Sequence, residues 1–158
     1  MTRPVSSDDP FELQRFLEAQ DPVYSRILAE LTAGVKQSHW MWFVFPQIQG
    51  LGHSAIARHY AISSVAEARA YLQHPALGSR LRECTRIVNG LEGRSALQIF
   101  GFPDTLKFRS SMTLFAIAAA QGEKSSEFAT ALARYFQGAE DELTRKRLAD
   151  LAHQDIAG

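Results

Sequence analysis

The apolar residues Leu77, Leu81, Cys84, Val88 and Leu91 follow one another at spacings of four, three, four and three. That rhythm places them all on one side of an α-helix and on alternating faces of a strand, so the segment has one sensible fold, a helix packed along its length. The same rhythm recurs through the chain, each time behind a residue suited to starting a helix. Asp9, Pro10 and Glu12 precede the stripe Leu13, Phe16 and Leu17, with Asp9 as cap, Pro10 in the first turn and Glu12 reaching back. Asp21 and Pro22 precede Ile27, Leu28 and Leu31, and Gly34 supplies a left-handed stop. Ser64 with Glu67 and Ser95 with Gln98 have capping-box spacing, Asp104 stands before Phe108, Met112 and Phe115, and Ser125 before Phe128 and Leu132. Gly138 ends that last run, and a final helix is expected over 140–153, where Arg145, Lys146 and Arg147 form its solvated face.

The only run with strand propensity, Trp40 to Phe45, has no polar alternation and no partner. An all-α fold of about seven or eight helices is the expectation, in a single domain over residues 1–158, with no linker, repeat or low-complexity tract to divide it. A chain of 158 residues buries a sufficient core without staples. Its one cysteine, Cys84, excludes an internal disulfide and lies on the apolar seam, where it reads as a small buried hydrophobe. Seventeen basic and seventeen acidic side chains give no net charge, which argues against a general nucleic-acid binder. No apolar run approaches the ~20 residues of a membrane span, and the first residues lack a signal-peptide pattern, so a cytoplasmic location is expected.

The zero charge hides an uneven distribution. Between Glu30 and Glu67 there is no carboxylate side chain, while Lys36, His39, His53, Arg58 and His59 all fall there. The block KQSHWMWFVFPQIQGLGHS, residues 36–54, carries both tryptophans. Trp40, Met41, Trp42, Phe43 and Phe45 read as central core. Lys36, Ser38, His39 and Gln47 beside them need polar partners, and a ligand would supply them. Gly50 and Gly52, followed by His53 and Ser54, form a turn whose N–H groups suit an anion, although the turn lacks the third glycine of a dinucleotide site and the Gly-Lys-Ser/Thr of a phosphate loop. Asp104, Lys107 and Ser111 share a helical face and extend the candidate site.

Familiar catalytic arrangements are missing. His53 and His59 are six residues apart and no cysteine pair or nearby carboxylate completes a metal site, so neither metal nor cofactor is expected. Ser38 and His39 are neighbours in sequence without a G-x-S-x-G elbow, and no acid pairs with Asp104 for glycoside chemistry. His74, before Pro75, reads as a capping residue.

The strings SHWMWFVFPQIQGLGHSAIARHYAI, DPFELQRFLEAQDPVY, HPALGSRLREC and DTLKFRSSMTLFA, spread over about 9–136, resemble the bacterial family known as domain of unknown function 1810. The resemblance implies a mainly α-helical cytosolic protein and brings no activity. Its recurrent polar positions fall here on Lys36, Ser38, His39, Pro46, Gln47, Gly50, Gly52, Ser54, His74, Lys107, Ser110 and Ser111. Some relatives are labelled calpastatin, an inhibitor built of disordered repeats that this folded pattern does not contain. LKFRSSMTLF is also faintly similar to the lysine-phenylalanine helix of enzymes that hydrolyse N-glycosidic or ADP-ribosyl nucleotides.

The expectation is a pocket for a small anionic or nucleotide-like ligand between the 36–54 block and the helix from Asp104 to Ser111. Trp40 or Trp42 would stack a planar group, Lys36 and Lys107 would neutralise the anion, and Gln47, Gly50, Gly52, Ser54, Ser38, Ser110 and Ser111 would complete the lining. His39 would act as general acid or base and Asp104 would assist. The alternative is a helical protein-interaction module without catalysis.

Overall fold

The computed structural model describes residues 8–119 and 126–157. Among these, ten helices run in the order α1 Gln14–Gln20, α2 Tyr24–Ala33, α3 Met41–Val44, α4 Ala55–His59, α5 Val65–Gln73, α6 Pro75–Gly90, α7 Ala96–Phe100, α8 Asp104–Ala119, α9 Glu127–Phe136 and α10 Glu142–Ala157. The all-α expectation holds. Seven helices have seven residues or more, and the count rises to ten through the short α3, α4 and α7.

Helix α8 is the centre of the fold. Phe108, Ser111, Met112, Thr113, Leu114 and Phe115 are all fully buried, so its middle is covered on every side, while Leu106 near its start is exposed. It packs against α5, α7, α9, α10 and α3. The seam of α6 is buried as its spacing required, Leu77, Leu81, Cys84 and Val88 being at most 1% exposed. Burial pushes the Cys84 thiol up to about 12, which suits a packing residue and no nucleophile.

Most of the starts expected from sequence are present. Ser64 accepts from Glu67 N–H, His74 Nδ1 accepts from the Ala76 and Leu77 N–H groups, and Ser95 with Gln98 makes a full capping box. Ser126 caps α9; the expected cap Ser125 lies outside the described residues. Two starts differ. Asp9 does accept from the Leu13 and Gln14 N–H groups, but α1 begins only at Gln14: Pro10 lies in the preceding turn and Glu12 adopts a left-handed φ of 53° instead of reaching back. Glu67 turns away from its cap, because its carboxylate is taken by Ser63 and Arg15.

The aromatic block is not a strand. Trp40, Met41, Val44 and Phe45 are buried around the single turn of α3, while Trp42 and Phe43 are only half-buried. Beyond it, Ile48 and Ile62 form a parallel bridge, with Ile62 N–H donating to Gln47 O and Gln49 N–H to Ile62 O at 2.8 Å each. This bridge lays the glycine turn against the entrance to α5.

Candidate functional site

The residues nominated from sequence separate into two groups. In the first, Lys36 Nζ lies 2.8 Å from Asp104 Oδ2, and Lys107 Nζ lies 3.5 Å from Asp104 Oδ1. Lys36 also sits over the Trp40 ring and Lys107 over the Trp42 ring, at 5.1 and 4.8 Å from the ring centres. The block and α8 therefore meet as expected, but as a clasp in which the carboxylate already occupies both cations. The Lys36 side chain is 6% exposed and Trp40 1%, so neither offers a face to a ligand.

The acid-free stretch is supplied with acid from outside itself. Glu30, at the end of α2, accepts from Gln37 N–H, Ser38 N–H, Ser38 Oγ–H and the Trp40 indole N–H at 2.7, 2.9, 2.5 and 3.0 Å. Burial works to raise its pKa, but these four donors outweigh it and hold the carboxyl at about 2, below the ordinary 4.5. Ser38 is thus a structural donor. Ser110 faces the other side of α8, where it donates to Leu106 O and to Asp141, the residue that caps Thr144 in α10. Ser111 is completely buried and its Oγ has no hydrogen-bond partner among the described residues. His39 is exposed. Trp42, Gln47 and Gly52 border a hollow of only about 10 Å³, less than a ligand needs.

The second group builds an open cleft of about 730 Å³ between the glycine turn, the start of α1 and the middle of α10. Gly50, Gly52 and His53 line it with Arg15, Arg58, His59 and Arg147, and Pro10 and Phe11 close one side. Gly50 has φ 96°, and a Cβ there would stand 2.7 Å from Arg147 Nε, so glycine is required both for the backbone and to let the guanidinium lie against it. Ser54 caps α4 by accepting from Ala57 N–H.

Hydrogen-bond accounting separates the three arginines. A guanidinium has five N–H groups. Arg15 uses all of them, on His59 O, Phe11 O, Glu12 O, Ala61 O and Glu67 Oε2, and so binds the cleft walls together. Glu67, 3% exposed at its side chain, is neutralised by that contact. Arg58 uses two, both on His53 O, and Arg147 uses one, on Gln49 O at 3.1 Å. Neither of these two meets a carboxylate among the described residues. The carbonyls that hold them, Gln49 and His53, bracket the glycine turn.

Sequence reasoning singled out the glycines and counted Arg58 among the basic residues, but missed Arg15, Arg147, Glu30 and Glu67 as partners of the block. Arg147 sat in a charge run read as solvated face; it is half-buried, while Arg145 and Lys146 are exposed. Its contact spans 98 residues, so no local signal could have found it. No group of three or more metal-ligating side chains occurs among the described residues, and no described helix is long and apolar enough to cross a membrane.

No match was found among curated proteins. Among solved structures the chain is similar to the conserved hypothetical protein Rv1873 from Mycobacterium tuberculosis, with 55% sequence identity, a TM-score of 0.85, and coverage of 89% of this chain and 99% of that one. The family model described as "Protein of unknown function (DUF1810)" matches residues 10–148, a range that contains both the Asp104 clasp and every residue lining the arginine cleft. The chain belongs to the DUF1810 family.

Proposed function

We propose that the protein binds a small anionic ligand in the cleft between the glycine turn, α1 and α10. The observation that carries this reading is the pair Arg58 and Arg147, oriented by backbone carbonyls, without a carboxylate partner among the described residues, and lining a cleft of ligand size. His53 and His59 add donors on the same walls. Two acids line the same cleft: Glu67, which is paired with Arg15, and the exposed Glu12.

This moves the ligand away from Lys36 and Lys107, whose charge Asp104 already balances. Hydrolysis of an N-glycosidic or ADP-ribosyl bond by His39 and Asp104 draws no support from the geometry: Asp104 is held between two lysines, and His39 does not line the cleft. A second reading, a module that docks a partner protein, is favoured by Leu97, Phe102 and Leu106, which are 57%, 76% and 51% exposed around the α7 to α8 corner.

Thermal-shift and calorimetric titration with inorganic and organic phosphates, sulfate and carboxylates at low ionic strength tests the main reading. Binding is expected, and the Arg58→Ala, Arg147→Ala double variant is expected to abolish it while remaining folded. Failure of every anion to bind at millimolar concentration would overturn it, as would equal binding by the double variant.

A further inference from the structure

The anion-binding cleft is larger than an inorganic anion requires and its walls are unlike one another. Its lining combines the partly unbonded guanidinium groups of Arg58 and Arg147 with the apolar residues Pro10 and the half-buried Phe11. We propose that the ligand is a phosphate monoester carrying an aromatic body, with the phosphate held by the two guanidinium groups and the ring laid on Phe11. This inference rests on the anion-binding reading above.

Three features of the cleft point to this class. The guanidinium groups come from different helices, α4 and α10, and are anchored on carbonyls four residues apart, at the two ends of the glycine turn. A carboxylate offers two oxygens in one plane and can bridge two guanidinium groups, as Glu127 does between Arg82 and Arg86, whereas a phosphate monoester offers three terminal oxygens out of plane to the same two groups. After their anchoring bonds, Arg58 keeps three N–H groups and Arg147 four, more than one donor for each of three terminal oxygens.

The volume, about 730 Å³, falls in the range of sites that enclose an organic molecule. An unadorned phosphate would leave most of it to water. Phe11 is the aromatic residue lining the cleft, and its place is fixed, because Arg15 holds its carbonyl at 2.6 Å and its side chain packs partly on the core. Aromatic contact of this kind adds selectivity for a ring over an aliphatic chain.

Calorimetry on the full chain with inorganic phosphate, phenyl phosphate and benzoate, at one pH and low ionic strength, tests the class. Phenyl phosphate is expected to bind up to about tenfold more tightly than inorganic phosphate, the factor that one added aromatic contact supplies, and more tightly than benzoate, which has the ring and one oxygen fewer. Phe11→Leu, which keeps the apolar bulk, is expected to lose that advantage without changing affinity for inorganic phosphate. Arg147→Lys, which keeps the charge and loses the fork, is expected to weaken both phosphates by a larger factor than benzoate. If phenyl phosphate binds no better than inorganic phosphate, or benzoate equals it, the ligand class is wrong and the anion-binding reading stands. If none of the three binds, both fall. Circular dichroism and the unfolding midpoint of each variant identify a loss of fold, and Pro10→Ala, outside any helix, then gives the apolar-wall measurement independently.

Discussion

Glu30 is the carboxylate on which the 36–40 segment is hung, and replacing it isolates its contribution. In Glu30→Ala the Gln37 N–H is exposed and recovers water, but the Trp40 indole N–H belongs to a side chain 1% exposed and loses its acceptor in the core. An orphaned buried donor costs about 1–3 kcal/mol, and losing the charge-assisted bonds from Ser38 adds about 1 kcal/mol after discounting for the half-exposed site. The expected total is about 3 kcal/mol, which in a domain of this size lowers Tm by about 6–12 °C. Glu30→Gln keeps an acceptor but turns an NH2 group toward the donors, and is expected to cost about 1–2 kcal/mol.

The sign of the pH dependence follows from the carboxyl ionising at about 2 in the folded chain against an ordinary 4.5. A lowered folded pKa gives stability that is fully present above about pH 5 and is lost as pH falls toward 2. The gap in urea midpoint between wild type and Glu30→Gln is therefore expected to be constant from neutral pH down to about pH 5 and to close below it. Tryptophan fluorescence during urea unfolding reads both quantities. A cost under about 1 kcal/mol for Glu30→Ala, or a gap that widens in acid, would refute the assignment of Glu30 as the hub.

Two further outcomes follow from packing. Gly78→Ala places a Cβ 2.1 Å from the backbone oxygen of Leu72 at the α5 to α6 junction, so the helices must separate; a loss of about 3 kcal/mol in urea unfolding is expected, and a change within about 0.5 kcal/mol would refute the close approach. Cys84, fully buried with its thiol pushed up to about 12, is expected to react with a thiol reagent only as the chain opens, at under about one-hundredth of the rate of a free thiol; a comparable rate in the native protein would show the seam to be accessible.

The helices were readable because each is a local statement. Spacings of three and four fix a face within one turn of chain, and a Ser or His before the run satisfies the first free N–H groups whatever lies beyond, as at Ser64, His74 and Ser95. The failures came where distant groups competed for a local one. Glu67 has capping-box spacing from Ser64, yet Arg15, from a helix 52 residues earlier, takes its carboxylate. Trp40 to Phe45 has strand propensity, and its short turn of helix is held by Glu30 on one side and Lys36 with Asp104 on the other.

The candidate site divides along the same line. Sequence alone determined that residues 36–59 carry cations, glycines and no acid, which made them the candidate site for an anion. Which cations remain for a ligand was decided only by tertiary structure, because a charge is set by its nearest neighbours in space. Asp104 reaches across to occupy Lys36 and Lys107, Glu67 occupies Arg15, and α10 brings Arg147 from 98 positions away to stand over Gly50.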